Sequence, residues 1–261
     1  MNQDYWLHQT REKPLFPELE WSRPENRAHA GSLLIVGGNK QGFADVAEAY
    51  AAATKAGIGH IRVLLPDTLH KTVGRLFPAA DFAPSTPSGS FAKNTLGELL
   101  PIALSTDGVL LAGNFSHNSE TAIVLESFLA KYQGPVAITR DAIEYVTPLA
   151  QKISQRENTL LILSFSQLQK FATTLKWPTA FTSTMDMVPA VEALHRLTEQ
   201  YPLSIITRHN DQLIVAEQGR VSTTPAAAGN VWRVKTAAAA SVWWLQHPGK
   251  SFEALTTSLI V

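Results

Sequence analysis

The 261-residue chain contains no cysteine. That absence excludes a disulfide framework, a thiolate metal site and a cysteine nucleophile. Charge is scarce as well. Asp, Glu, Lys and Arg make up 17% of the residues, and 22 basic side chains balance 22 acidic ones. Proteins that displace counterions from nucleic acid need an excess of Lys and Arg, so no nucleic-acid partner is expected. The longest apolar run near the C-terminus, Ala237 to Leu245, is far shorter than the roughly 20 residues of a membrane helix. The start, MNQDYWLHQTREKPLF, has no signal-peptide core. The expectation is a soluble, cytoplasmic protein with no membrane partner, and zero net charge favours a homo-oligomer, a dimer or tetramer. Metal-site spacing is also missing. The eight histidines show neither HxH nor HExxH, so no metal site is expected.

Hydrophobic residues make up 45% of the chain, enough for a sizeable core. Residues 1–31 read as an irregular arm, punctuated by Pro14, Pro17 and Pro24. Its Trp6, Leu15, Phe16, Leu19 and Trp21 are anchors for docking onto a surface. Residues 32–261 read as a single domain. Residues 32–36, 60–65, 108–112, 135–139, 159–163 and 203–207 are short, nearly continuous apolar runs, the pattern of strands buried on both faces. Residues 43–56, 67–77, 95–104, 120–132, 142–155, 167–175 and 188–200 read as the intervening helices. Residues 212–216 and 220–223 form a hairpin through Gln218-Gly219, with an antiparallel strand on the sheet edge. Helices over 236–246 and 252–261 follow. This alternation predicts a three-layer α/β fold with a mainly parallel sheet.

Generic motifs fail. GGNKQGFA has Phe43 where a Walker lysine would stand, GIGHIR lacks the third glycine of a dinucleotide fingerprint, and no G-x-S-x-G elbow occurs. His209, directly after a strand in TRHND, stands where open α/β sheets place ligands.

The stretch RPENRAHAGSLLIVGGNKQGFADVAEAYAAATKAGIGHIRVLLP, from Arg23 to Pro66, resembles the opening of the ADP/ATP-dependent NAD(P)H-hydrate dehydratases. LLAGNFSHNSETAIVLESFLAKYQGPVAITRDAIEYV, from Leu110, and SIITRHNDQLIVAEQGRVSTTPAAAGN, from Ser204, are similar to later segments of the same family, in the same order. The resemblance implies a ribokinase-like fold of the carbohydrate kinase superfamily. It also implies a lyase that spends a nucleotide phosphoryl group, from ADP or ATP with Mg, to dehydrate a hydrated nicotinamide cofactor. In that family an aspartate of a GTGD motif at a helix N-terminus is the base, and the adjacent glycine amides form an anion hole.

Residue by residue, the resemblance puts Asp45 at a substrate-side alanine and Asn114 and Ser116 within the substrate-side glycine segment. Phe115 adds bulk there. Arg208 and His209 take a nucleotide-side lysine and glycine. The GTGD motif falls on residues 237–240, which places Ala239 beside the nucleotide and Ala240 at the aspartate. No acid occurs between Arg220 and His247. A general base contributes about 10²–10⁴-fold, and alanine cannot replace it. Three readings follow: a nucleotide- or nicotinamide-binding relative with weak or lost dehydratase activity, an active dehydratase or small-molecule kinase using a relocated base such as Asp45, or a non-catalytic oligomeric scaffold. Lys235 stands where it could offset phosphate charge. Of the adjacent Trp243 and Trp244, one is expected in the core.

Overall fold

The apolar runs assemble into one sheet of ten strands in a computed structural model that describes residues 4–74, 77, 80–226 and 232–260. The strands are β1 (Trp6–His8), β2 (Ser32–Gly37), β3 (His60–Pro66), β4 (Ala80–Ala83), β5 (Gly108–Gly113), β6 (Val136–Thr139), β7 (Thr159–Ser164), β8 (Leu203–His209), β9 (Gln212–Glu217) and β10 (Arg220–Pro225). Their order is β1-β10-β9-β8-β7-β6-β5-β2-β3-β4. All neighbours run parallel except at β9, which opposes both β8 and β10.

The helices are α1 (Glu18–Trp21), α2 (Ala44–Lys55), α3 (His70–Val73), α4 (Leu96–Leu104), α5 (Ser119–Lys131), α6 (Ala142–Val146), α7 (Ala150–Ile153), α8 (Phe165–Thr174), α9 (Met187–Gln200), α10 (Trp232–Gln246) and α11 (Ser251–Thr257). Successive strand residues point to opposite faces, and β2 shows it. Leu34 and Val36 join the core under α4 to α9, with Phe128, Ile143 and Phe171. Leu33 and Ile35 join the core under α2, α10 and α11, with Val46, Ala237 and Phe252. Both faces are therefore covered, as continuous apolar strands require. On the second face α2 and α10 are the most closely packed pair of helices, which their buried alanines Ala49, Ala53, Ala237 and Ala240 permit.

The arm departs from the irregular segment expected. Residues 6–8 pair with β10, Trp6 opposite Val221 and His8 opposite Thr223, so a further strand lies outside the hairpin. The rest of the arm crosses α10 and α11. Leu19, Trp243 and Ala254 form one buried cluster, and the Phe16 ring meets Phe252 edge-on at 6.3 Å. Trp243 is the core residue of the tryptophan pair, while Trp244 is half-buried.

Other boundaries moved for local reasons. The helix expected over 142–155 breaks into α6 and α7 at a 3-10 turn, Thr147–Leu149, because Pro148 has no amide to donate. In the helix expected over 67–77, a 3-10 turn, Asp67–Leu69, precedes α3, and Arg75 and Leu76 lie outside the described residues. So do Val261 of the last expected helix and Asn230, from which the GTGD register was counted. Helix α10 begins at Trp232, one turn before the expected start at residue 236. Among the described residues, no helix is long and apolar enough to cross a membrane.

Candidate functional site

The loops that leave the C-terminal ends of β2, β5, β6 and β7 meet the first turn of α10. Glycine makes the floor. A Cβ on Gly37 would lie 2.3 Å from the Gly113 carbonyl oxygen. One on Gly113, whose φ is +115°, would lie 2.7 Å from Arg140 Cβ and 2.8 Å from Asp45 Oδ2. Neither position accepts a side chain while this arrangement holds.

Asp45 lies in the first turn of α2, where the helix dipole favours an acid. Its Oδ2 accepts a hydrogen bond from Arg140 Nε at 3.0 Å. Asn114 Oδ1 accepts the Asp45 backbone N–H at 2.9 Å, and the Asn114 carbonyl accepts from Asn39 Nδ2 at 2.5 Å. Asn114 thus ties the β5 loop to the start of α2. Ser116 stands two residues along, and its hydroxyl meets that of Ser90 at 2.6 Å. Tyr145 donates to the Ser116 carbonyl and accepts the Asn118 N–H at 3.0 Å.

Asn114, Ser116 and Arg140 adopt left-handed φ values of 59°, 55° and 58°. Such values are uncommon for residues with a side chain and collect at functional sites. They also turn the intervening Phe115 away. Expected to crowd the ligand, Phe115 is instead fully buried, with ring centroids 6.0 Å from Phe91 and 6.3 Å from Tyr145.

Asp141 accepts the Phe115 N–H through Oδ2 at 2.9 Å, while its buried Oδ1 has no hydrogen-bond partner among the described residues. Burial pushes the Asp141 carboxyl above the usual range, the Phe115 N–H opposes this, and the Asp45 charge adds to the rise. Gln167, held by a capping box with Ser164, links two arginines. Its Nε2 donates to the Arg140 carbonyl at 2.9 Å, and its Oε1 accepts from Arg233 at 3.3 Å. Arg233 is in the first turn of α10. Burial first, then the positive charge of Arg140, pull its guanidinium below the usual value, with Asp45 acting in the other direction.

No family model matches the chain, and no curated protein matches it in sequence. Solved structures do match. A ribokinase-like superfamily protein from Enterococcus faecalis is 13% identical over the whole of this chain and 87% of its own, with a TM-score of 0.73. The fold is ribokinase-like. A hypothetical protein from Streptococcus mutans is 14% identical, covering 93% of this chain and 85% of its own, with a TM-score of 0.68. The ADP/ATP-dependent NAD(P)H-hydrate dehydratase from Bacillus subtilis, co-crystallised with ATP/Mg²⁺, is 12% identical, covering 95% of this chain and 86% of its own, with a TM-score of 0.61.

Within this ribokinase-like fold the remaining expected residues make contacts of their own. His209 is buried at the end of β8, stacks on Phe165 at 3.9 Å and places Nε2 2.6 Å from the Met185 carbonyl oxygen. Arg208 pairs with Asp211 at 2.9 Å. Ala239 is half-buried on the outer side of α10, and Ala240 is fully buried. The first turn of a helix holds its free amides, and here that turn is residues 232–235. Residues 237–240 are therefore in the helix interior, beyond that turn. Lys235 pairs with Glu48 at 3.5 Å.

Arg140, Asp141, Gln167 and Arg233 escaped the sequence reading. The first two follow β6 directly, so the strand-end rule that singled out His209 had the means to find them. Arg233 had no such signal, because the helix start was placed beyond it.

Asp141 carries a test. A carboxyl whose folded pKa is raised stabilises the fold below its unfolded value of about 3.9, and that contribution is lost as pH rises through the folded value. Asp141→Asn, which keeps an acceptor for the Phe115 N–H, should therefore stabilise the protein in urea titrations at pH 8 and do nothing at pH 3.5. Equal effects at both pH values would show that its ionisation is not coupled to folding.

Proposed function

We propose that this chain binds a nucleotide or another phosphate-bearing small molecule at the strand ends, with dehydratase activity weak or lost. The observation that carries this reading is the convergence of Arg140 and Arg233 over the glycine floor, with Arg233 in the first turn of α10. A helix N-terminus favours an anion through its free amides and dipole. Two guanidiniums add planar, permanently charged donors suited to phosphate.

The same turn explains the expected loss of chemistry. Residues 232–235 are Trp, Arg, Val and Lys, none of them a carboxylate base, and the position that the resemblance gives the base is Ala240. Asp45 is a poor substitute, because Arg140 already neutralises its carboxylate. Among the described residues, no group of three or more His, Asp or Glu is placed to hold a metal ion. Magnesium would therefore be held mainly by the nucleotide phosphates. The ATP/Mg²⁺ of the Bacillus subtilis dehydratase supports a nucleotide as the first ligand to test.

Thermal melting with millimolar ADP, ATP or NADPH should raise Tm, since a ligand that binds only the folded state stabilises it by mass action. Hydrated NADH with ATP should show little or no recovery of reduced-cofactor absorbance. No Tm shift with any of the three defeats the binding reading. Turnover that vanishes in Asp45→Ala replaces it with an active enzyme.

A further inference from the structure

Arg156, just after α7, is a buried cation, 8% exposed. Its Nη1 donates to the Glu157 and Asn158 carbonyls at 2.9 and 3.2 Å and to the Thr159 hydroxyl at 2.8 Å. Its Nη2 donates to the Tyr132 and Gly134 carbonyls at 2.6 and 2.8 Å. All of these acceptors are neutral. Among the described residues Arg156 forms no ion pair, and its buried Nε has no hydrogen-bond partner. The bonds tie the end of α5 to the start of β7, yet they leave the charge uncompensated, which is costly away from water. Burial accordingly pulls the guanidinium below its usual value, with Tyr132 acting in the other direction.

Arg156 also lines a cavity of about 540 Å³ between the end of α5 and α7. Small-molecule sites span roughly 300–1,000 Å³. Leu129, Leu149 and Ile153 give this one an apolar wall. Lys131 and Lys152 add positive charge, and Glu126 is the only acid among the described residues of the lining, paired with Lys152 at 2.9 Å. Three cations against one acid leave an excess of two positive charges. The cavity lies at the opposite end of the sheet from the arginine pair. Gly134 and Asn158, whose carbonyls Arg156 holds, precede β6 and β7, whereas Arg140 and Gln167 follow those strands. The six residues of β7, at about 3.3 Å each, put roughly 20 Å between the two ends. We propose that this cavity is a second binding site, for a phosphate monoester with a short apolar body. Such an ester carries close to two negative charges above a second pKa of about 6, which matches the excess on the lining. A dicarboxylate would instead set one of its charges against the apolar wall. The site does not depend on what binds at the strand ends.

The probe is 1-naphthyl phosphate at pH 8 and low salt, followed by fluorescence anisotropy. Its counterparts are 1-naphthyl sulfate, with one charge, and 1-naphthalenemethanol, with none. The folded protein should bind the phosphate saturably, at least about tenfold more tightly than the alcohol and about threefold more tightly than the sulfate. Lys131→Glu should weaken it about threefold, as expected for an exposed charge. Lys131→Glu combined with Lys152→Glu should weaken it at least about tenfold. Both lysines are exposed, so these variants keep the fold, which near-UV circular dichroism checks. Arg233→Ala, at the other end of the sheet, should leave a site of the same affinity. The proposal falls if the phosphate does not bind, if the alcohol or the sulfate binds equally well, or if the folded double lysine variant binds as the parent does. Loss of all probe binding in Arg233→Ala would likewise overturn it, by placing the probe at the strand ends. A missing ADP shift with probe binding intact would count against the nucleotide reading alone and leave this site standing.

Discussion

Arg233→Ala should weaken ADP binding by about 10- to 100-fold, the loss of a charged hydrogen bond worth about 1.5–3 kcal/mol, at nearly unchanged stability. Among the described residues the side chain makes one hydrogen bond, to Gln167 at 3.3 Å, and it is partly buried beside a like charge. Removing it relieves that repulsion. Arg140→Ala should behave differently. It should lose affinity and stability together, because Asp45, whose side chain is 11% exposed, would be left without its cation. Breaking a fully buried pair costs about 3–5 kcal/mol. With 34% of the Arg140 side chain in solvent, roughly 1–3 kcal/mol is expected. Arg140→Ala combined with Asp45→Asn should recover the stability and leave the affinity low. Calorimetric titration with ADP and urea unfolding of the four proteins separate these effects. If neither arginine variant changes ADP affinity, the phosphates are not held at the strand ends.

Ordering the two arginines this way depends on strand ends that the sequence made readable. Runs such as LLIV in β2, short and bounded by Gly31 and Gly37, fit strands buried on both faces, so the parallel sheet and its ligand-bearing edge followed from hydrophobic pattern, run length and flanking glycines. Asp45 and Asn114 were legible too, and the structure joins them by a hydrogen bond, though Asn114 serves to start α2. What could not be read was direction. Nothing in the letters GNFSH shows that Asn114 and Ser116 take left-handed backbone angles and turn Phe115 into the core. The alanines of α10 carry two readings for a physical reason. A run of small residues matches small catalytic glycines in a register count, yet alanine belongs in the helix interior. The structure accordingly buries residues 237, 238 and 240 against the sheet and α2. Strand β1 was missed because three residues show no period. Its identity comes from its hydrogen-bonded partner, β10, more than 200 positions away.

Trp243→Ala should lower stability by about 3–5 kcal/mol, as expected for a fully buried large aromatic. At roughly 2–4 °C per kcal/mol for a chain of this size, Tm should fall by about 6–20 °C. The residue is 1% exposed and holds several parts of the arm at once. The Arg23 guanidinium lies 4.6 Å above its ring, His247 stacks against it at 5.3 Å, and Leu19 packs into the same cluster. His247 also places its ring nitrogens 2.9 Å from the Trp243 carbonyl oxygen and 3.2 Å from that of Leu19. A cavity here therefore removes the contacts that pin the arm onto α10 and α11. Trp244→Ala, at the half-buried neighbouring position, is the control and should cost clearly less. Because Leu19 and Trp243 share one cluster, their alanine variants should not add. A coupling of about 0.5–3 kcal/mol is expected. Limited proteolysis of Trp243→Ala should then cut within residues 9–31 before the sheet unfolds, since the arm would open at lower free energy than the core. Equal melting losses for Trp243→Ala and Trp244→Ala, with the arm still resistant, would mean that pairing of β1 with β10 alone holds it down.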